Sequence, residues 1–201
     1  MKISVFVSGR GSNLSAIINS PELKNKVEVA LIISDKLVCP AFETAKKYSI
    51  PHYTLGIRQG EIEIDELLNL FYKNNIELIV LAGYLKIIPT EIINRYKNRI
   101  INIHPALLPS FGGKGMYGLK VHKAVFDSSC KVSGATVHFV DETYDTGKII
   151  AQRCVDISDV KSPEEIAARV LEVEHKLLPA VIKLFYENQI RFENGRVQIT
   201  N

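Results

Sequence analysis

Short apolar segments alternate with helix-like segments over the first hundred residues, and this alternation constrains the fold more than any other feature. Runs rich in β-branched and aliphatic residues predict buried strands at 3–7, 27–33, 51–55 and 77–81. The stretches between them predict helices at 13–18, 40–48 and 62–73. Strands separated by helices of this length predict right-handed βαβ units. We therefore expect an α/β fold with a Rossmann-like parallel sheet and helices on both faces.

The second half of the chain departs from this alternation. Residues 100–103 predict one more strand, and residues 105–119 predict a long loop because they hold two prolines and four glycines. The remaining predicted elements are a helix at 121–126, an antiparallel hairpin at 133–157, a long helix opening at the capping box 162–165 and a small hairpin at 192–199. Antiparallel strands and a long C-terminal helix should thus extend the parallel sheet.

Length, charge and cysteine content narrow the class of protein. A chain of 201 residues predicts a single domain over 1–201, with halves at 1–100 and 101–201. A formal net charge of only +3 does not call for a nucleic-acid partner. Three cysteines without a CxxC pair predict neither a zinc site nor a disulfide framework, and favour a reduced, cytoplasmic setting. The longest apolar run, 78–85, is far shorter than the roughly 20 residues of a membrane span.

A glycine-rich turn follows the first predicted strand, with the sequence SGRGSN at residues 8–13. Its glycines let the backbone approach a ligand, and the start of the next helix offers free N–H groups that suit a phosphate. Ser12 and Asn13 add side-chain donors. The third glycine of a dinucleotide fingerprint is replaced by Leu14. The turn is therefore either a phosphate site or a plain glycine turn in which Ser12 or Asn13 caps the helix.

Two polar residues stand out near the apolar strand predicted at 100–103. Asn102 lies within it, and His104 follows it directly, just before Pro105. Residues two apart on a strand share one face, and ligands bind at the carboxyl ends of strands in such sheets. An amide beside an imidazole can stabilise a developing oxyanion. The alternative is a structural histidine, but buried polar groups need a reason to be there, which favours a functional pair.

Three other polar features are less distinctive in the sequence. The hairpin connection 141–147, DETYDTG, is typical of a solvated acidic turn, although a carboxylate beside His104 could raise the histidine pKa or relay a proton. His138 alternates within a strand, so we expect it to be exposed and without a role. Glu174 is expected at the flank of the apolar stripe of the long helix.

Taken together, several segments resemble the family of folate-dependent glycinamide ribonucleotide formyltransferases of purine biosynthesis. The resemblance runs from residue 1 to about 190. The segments that carry it are SGRGSNL at 8–14, LAGYLKII at 81–88, NIHPALLP at 102–109, GATVHFV at 134–140, DTG at 145–147 and EH at 174–175. It implies that the amine of glycinamide ribonucleotide attacks the formyl carbon of 10-formyltetrahydrofolate, a co-substrate, without a metal.

The resemblance also implies roles for particular residues. Asn102, His104 and Asp145 match the catalytic residues of the family. Its substrate site is matched by Gly11, Ser12 and Asn13 at the phosphate and by Glu174 at the ribose or amine end. The walls of its folate pocket are matched by Leu85, Lys86, Ile87, Ile88, Val140 and Asp141. The two halves of the domain would then be a phosphate-binding βαβ half and a catalytic, folate-binding half.

Two kinds of alternative stay open. Another enzyme that uses 10-formyltetrahydrofolate, such as methionyl-tRNA formyltransferase or a deformylase, would share the Asn-His-Asp site. The tRNA enzyme usually has a further C-terminal domain and the deformylase an N-terminal one, for which we expect no room here. A non-catalytic nucleotide-binding Rossmann module would instead bind NAD without formyl transfer. We expect small-molecule substrates, no membrane or nucleic-acid partner, and either a monomer or a homodimer.

Overall fold

The computed structural model describes residues 1–200. Two compact units make up the chain, Met1–Asn102 and Ile103–Asn201. The expectation of a single domain over 1–201 stays a prediction.

The first unit is built on parallel strands. They are β1 (Lys2–Val7), β2 (Glu28–Ser34), β3 (His52–Thr54), β4 (Ile76–Leu81) and β5 (Ile100–His104), whose last two residues belong to the second unit. Their order is β3-β2-β1-β4-β5, and every neighbouring pair is parallel. The helices between them are α1 (Ser12–Ile18), α2 (Ala41–Lys47), α3 (Ile64–Lys73) and α4 (Thr90–Arg95). The carboxyl ends of these parallel strands therefore meet at one edge.

Apolar side chains on both faces of β1 and β4 make the core of this unit. Val5, Phe6, Ile79 and Val80 are completely buried. Strands buried on both faces carry continuous apolar runs rather than an alternating pattern, which is why these strands stand out in the sequence.

The second unit continues from the end of β5. Its elements are α5 (Leu119–Asp127), β6 (Val132–Phe139), β7 (Ile149–Asp156), α6 (Pro163–Tyr186), β8 (Ile190–Glu193) and β9 (Arg196–Ile199). The strand order is β5-β6-β7, with β6 and β7 antiparallel from the pair Val132–Asp156 onward. Strands β8 and β9 form a separate hairpin. The expected class, a Rossmann-like sheet with an antiparallel extension and a long C-terminal helix, is confirmed.

The long helix α6 begins where its capping signal predicts. Ser162 Oγ accepts a hydrogen bond from the backbone N–H of Glu165 at 3.3 Å. The Glu165 carboxylate accepts from the N–H of Lys161, one residue before the cap. These bonds satisfy N–H groups that have no partner within the helix. Within residues 1–200, no helix has the length and apolar character needed to cross a membrane.

Candidate active site

Two predicted site residues lie at the carboxyl end of β5. Asn102 is half-buried, and His104, the last residue of the strand, is buried. Their spacing of two residues within one strand gives their side chains the same facing direction. The strand therefore presents an amide and an imidazole together, as the sequence pattern predicts.

Thr136 on β6 fixes the chain segment that follows His104. Its hydroxyl donates to the carbonyl of Ala106 at 2.7 Å and accepts from the N–H of Leu108 at 3.1 Å. The side-chain amide of Gln152 donates to the same hydroxyl at 3.0 Å and to the carbonyl of Leu108 at 2.9 Å. Because Thr136 is completely buried, these bonds form in a low-dielectric setting where each is costly to lose.

A carboxylate from the connection between β6 and β7 reaches His104. Oδ2 of Asp145 lies 3.4 Å from Nδ1 of His104, and the Asp145 side chain is only 11% exposed. The N–H of Gly113 donates to the same oxygen at 2.9 Å. Asp145 adopts a φ of 58°, a conformation uncommon for a non-glycine residue. The acidic connection is therefore no simple solvated turn, because one of its carboxylates joins the histidine.

The environment sets the charge of the His104–Asp145 pair. Burial lowers the pKa of His104 below its ordinary value, against the opposing effects of Asp145 and of the Phe111 carbonyl, which accepts from Nε2 at 2.9 Å. Burial raises the pKa of Asp145, but His138, His104 and the N–H of Gly113 together bring it below its ordinary value. At neutral pH the pair is accordingly a carboxylate beside an imidazole that is mainly neutral.

His138 is the residue that sequence reasoning missed. It is 2% exposed, so the expectation that it would be exposed is wrong. Its Nδ1 donates to the carbonyl of Phe139 at 2.8 Å, and its Nε2 lies 3.6 Å from Oδ1 of Asp145. Strand β6 is buried on both faces from Ser133 to Phe139. The alternation of polar and apolar residues along it therefore does not separate exposed from buried side chains. A histidine within a completely buried strand is the signal that could have found it.

The glycine turn of the first unit forms a tightly fixed loop. Gly11 has a φ of 74° and is the N-cap of α1, which has no side-chain cap bond. A cap formed by Ser12 or Asn13 is therefore wrong. A Cβ on Gly11 would lie 2.8 Å from the Cβ of Ala41, so the position requires glycine for both conformation and space. Ser12 is exposed and Asn13 is buried.

Hydrogen bonds inside the first unit hold the glycine loop in place, and its carbonyl and hydroxyl oxygens are the acceptors. The Lys36 ammonium donates to the carbonyl of Ser8 at 2.7 Å, and the N–H of Ala41 donates to the carbonyl of Gly9 at 3.1 Å. The Ser8 hydroxyl accepts from the N–H of Leu85 at 3.0 Å. The segment 85–88, predicted to line a folate pocket, is thus tied to the glycine loop; Leu85, Lys86 and Ile87 are exposed and Ile88 is buried.

The remaining predicted residues lie in the second unit. Glu174 on α6 is 7% exposed, so it is a buried carboxylate rather than a flank residue. Val140 and Asp141 are half-buried. The Asp141 carboxylate accepts from the N–H and hydroxyl of Thr143, both at 3.1 Å, and from the hydroxyl of Thr146 at 2.8 Å. That side chain thereby holds the connection that carries Asp145.

Among residues 1–200 there is no group of three or more His, Cys, Asp and Glu side chains placed to hold a metal ion.

A family model described as "Formyl transferase" matches residues 1–182. The chain belongs to the formyl transferase family. The relationship to folate-dependent formyltransferases that the sequence segments indicate is confirmed, and the chain is an enzyme of the formyltransferase class.

Several relatives of this formyl transferase are named phosphoribosylglycinamide formyltransferase. A chloroplastic phosphoribosylglycinamide formyltransferase from Arabidopsis thaliana is 42% identical over 203 residues, covering 98% of this chain and 70% of that protein. Phosphoribosylglycinamide formyltransferase from Bacillus subtilis is 37% identical over 186 residues, covering 90% and 93%. The crystal structure of phosphoribosylglycinamide formyltransferase from Anaplasma phagocytophilum matches with a TM-score of 0.88 at 30% identity, covering 100% and 95%.

Proposed function

We propose that this formyl transferase moves the formyl group of 10-formyltetrahydrofolate to the amine of glycinamide ribonucleotide, a step of purine biosynthesis. The observation that carries the proposal is the buried pair of His104 and Asp145, with Nδ1 and Oδ2 3.4 Å apart at the end of β5. The names of its relatives and the glycine loop at Gly11, which suits a phosphorylated substrate, support the choice of substrates.

The reaction needs an oxyanion stabiliser and a path for one proton. The amine nitrogen forms a bond to the formyl carbon, and the carbonyl electron pair moves to oxygen. Asn102 donates a hydrogen bond to this oxyanion at the end of β5, and His104 does so from Nε2 when that nitrogen exchanges its bond to the Phe111 carbonyl for the oxyanion. When the oxyanion collapses, the bond between the formyl carbon and N10 of the folate breaks, and tetrahydrofolate leaves.

Asp145 transfers the proton from the attacking amine to the leaving nitrogen in this proposal. The attacking amine loses a proton as it becomes an amide, and N10 gains one as it leaves, so no net acid or base is consumed. A carboxylate whose pKa is below its ordinary value stays ionised at neutral pH and can accept that proton directly or through water. An ionised Asp145 beside Nδ1 also favours the imidazolium form of His104 when negative charge develops on the formyl oxygen.

Each unit contributes residues that bind the substrate and residues that bind the folate. In the first unit, Gly11, Ser12 and Asn13 hold the substrate phosphate, and Leu85, Lys86, Ile87 and Ile88 contact the folate. In the second unit, Glu174 holds the ribose or amine end of the substrate, while Val140 and Asp141 contact the folate chiefly through their backbone, because the Asp141 carboxylate is engaged with Thr143 and Thr146. A cytoplasmic location is part of the same proposal.

A direct assay tests the function. The protein is incubated with glycinamide ribonucleotide and 10-formyltetrahydrofolate, and formylated nucleotide is sought by mass spectrometry. We expect product formation that requires both substrates. Release of formate without the nucleotide would instead indicate a deformylase, and tight NAD binding without transfer would indicate a non-catalytic nucleotide-binding module. Either result would contradict the proposal.

A further inference from the structure

The two oxygens of the Asp145 carboxylate face different imidazoles. Oδ2 lies 3.4 Å from Nδ1 of His104 and accepts from the N–H of Gly113. Oδ1 lies 3.6 Å from Nε2 of His138. Both separations are longer than an ordinary hydrogen bond but are still close contacts between polar atoms. Rotation of the carboxylate about its Cβ–Cγ bond would exchange or remove these contacts, so partners on both oxygens are needed to fix one orientation.

The hydrogen-bond partner of Nδ1 decides how His138 can act on Asp145. A backbone carbonyl only accepts, so the contact of 2.8 Å with the Phe139 oxygen requires a hydrogen on Nδ1. This bond fixes the orientation of the His138 ring and thereby holds Nε2 beside Oδ1 of Asp145.

Burial strengthens the electrostatic interaction between His138 and Asp145. The side chains of His138, His104 and Asp145 are 2%, 4% and 11% exposed, so water screens their mutual interactions poorly. Asp145 also sits on a connection between strands at a φ of 58°, so its backbone alone does not direct the carboxylate toward β5. The partner supplied by β6 is a buried side chain on a strand that is paired with β7, and hence a rigid reference point.

We propose that His138 is a positioning residue: it holds Oδ1 of Asp145 so that Oδ2 faces His104 in the geometry that proton transfer needs. This proposal rests on the role of Asp145 in the proposed function. In this role His138 takes no direct part in substrate binding or in proton transfer. It acts only through Asp145.

Two variants of matched polarity test the proposal. His138→Gln places an N–H donor near the former position of Nε2 and keeps a partner for Oδ1. His138→Asn keeps a donor near the former Nδ1 but does not reach Asp145. We expect His138→Asn to lower kcat roughly 10- to 100-fold with KM unchanged, as for a misplaced catalytic group, and His138→Gln to restore most of the loss. Equal losses in the two variants, or an effect on KM alone, would overturn the proposal.

His138→Asn in the Asp145→Asn background separates a positioning role from a general disturbance of the active-site structure. Because His138 acts through the carboxylate, we expect His138→Asn to add less than about twofold to the loss caused by Asp145→Asn. Multiplicative losses would overturn the proposal. Thermal melting of all variants shows whether they fold alike.

An activity-independent measurement keeps this inference separate from the proposed function. Imidazole ¹⁵N chemical shifts of His104 report its contact with Asp145. We expect His138→Asn to move these shifts and His138→Gln to leave them near their wild-type values. If the shifts respond but no formylated nucleotide forms, the proposed function fails while the positioning stands. If product forms and the shifts do not respond, the positioning fails alone.

Discussion

Nδ1 of His104 lies 3.4 Å from Oδ2 of Asp145, which joins the last residue of β5 to the connection between β6 and β7. The last two residues of β5, Ile103 and His104, belong to the same unit as the hairpin of β6 and β7 and the connection that carries Asp145. A carboxylate from a distant part of the chain thereby becomes the partner of the histidine.

Asp145→Asn tests the chemical role of this pair. Asparagine preserves the shape of the side chain but cannot accept a proton, so we expect kcat to fall by ~10²-fold or more while KM for both substrates changes little. Steady-state kinetics with each substrate varied in turn gives both parameters. Asp141→Asn, in the same connection, is the comparison: it should lower kcat much less. Unchanged turnover of Asp145→Asn would remove Asp145 from the mechanism.

Thr136→Val tests how the segment after His104 is held. Valine has the shape of threonine, but it leaves the N–H of Leu108 and the amide of Gln152 without their buried partner. We expect the free energy of unfolding to fall by about 1–3 kcal/mol. Urea denaturation followed by circular dichroism measures it. Thr136→Ser keeps the hydroxyl and should lose distinctly less; equal losses would mean that the methyl group, not the hydroxyl, stabilises the segment.

Much of the fold follows from local patterns. The strands of the first unit are continuous apolar runs, so their positions were predicted to within a residue or two. Helix α4 at Thr90–Arg95 was not predicted because its six residues are too few for a periodic signal. Helix α5 begins at Leu119, two residues before the predicted start, because Gly118, the last glycine of the glycine-rich stretch that predicts a loop, is itself the N-cap of the helix.

The candidate site could be predicted only in part. Asn102 and His104 are two residues apart, so strand geometry alone predicts their common face. The contact of Asp145 with His104 joins distant parts of the chain, and no local pattern encodes it; only the family resemblance indicated that residue. His138 was misjudged because the strand that carries it has no solvent-facing side.

Ser12→Ala tests the phosphate loop. Ser12 is the first residue of α1 and is exposed. If its hydroxyl helps to bind the substrate phosphate, the variant should raise KM for glycinamide ribonucleotide by roughly 10- to 100-fold at unchanged kcat, since one hydrogen bond to a charged group is worth roughly 1.5–3 kcal/mol. Glycinamide riboside, which lacks the phosphate, is the control substrate. An equal loss with the riboside would refute the phosphate role.

The lowered pKa of His122, on α5, makes the stability of the fold depend on pH. Burial first, and then the charge of His104, lowers the pKa of His122 from 6.5 to about 4. The unfolded chain therefore binds a proton more readily than the folded one, so stability falls as pH drops through the window from about 6.5 to about 4. A difference of this size corresponds to roughly 3 kcal/mol in full. The lowered pKa of His104 acts in the same direction.

Replacing His122 with leucine isolates its part of this effect. We expect the leucine variant to lose less stability than the wild type between pH 6.5 and pH 4.5, as measured by urea denaturation at each pH. Lys123→Gln, an exposed substitution on the same helix, should leave the pH dependence of the wild type in place. A leucine variant with an unchanged slope would mean that folding does not lower the pKa of His122, and that the acid sensitivity comes from other groups such as His104.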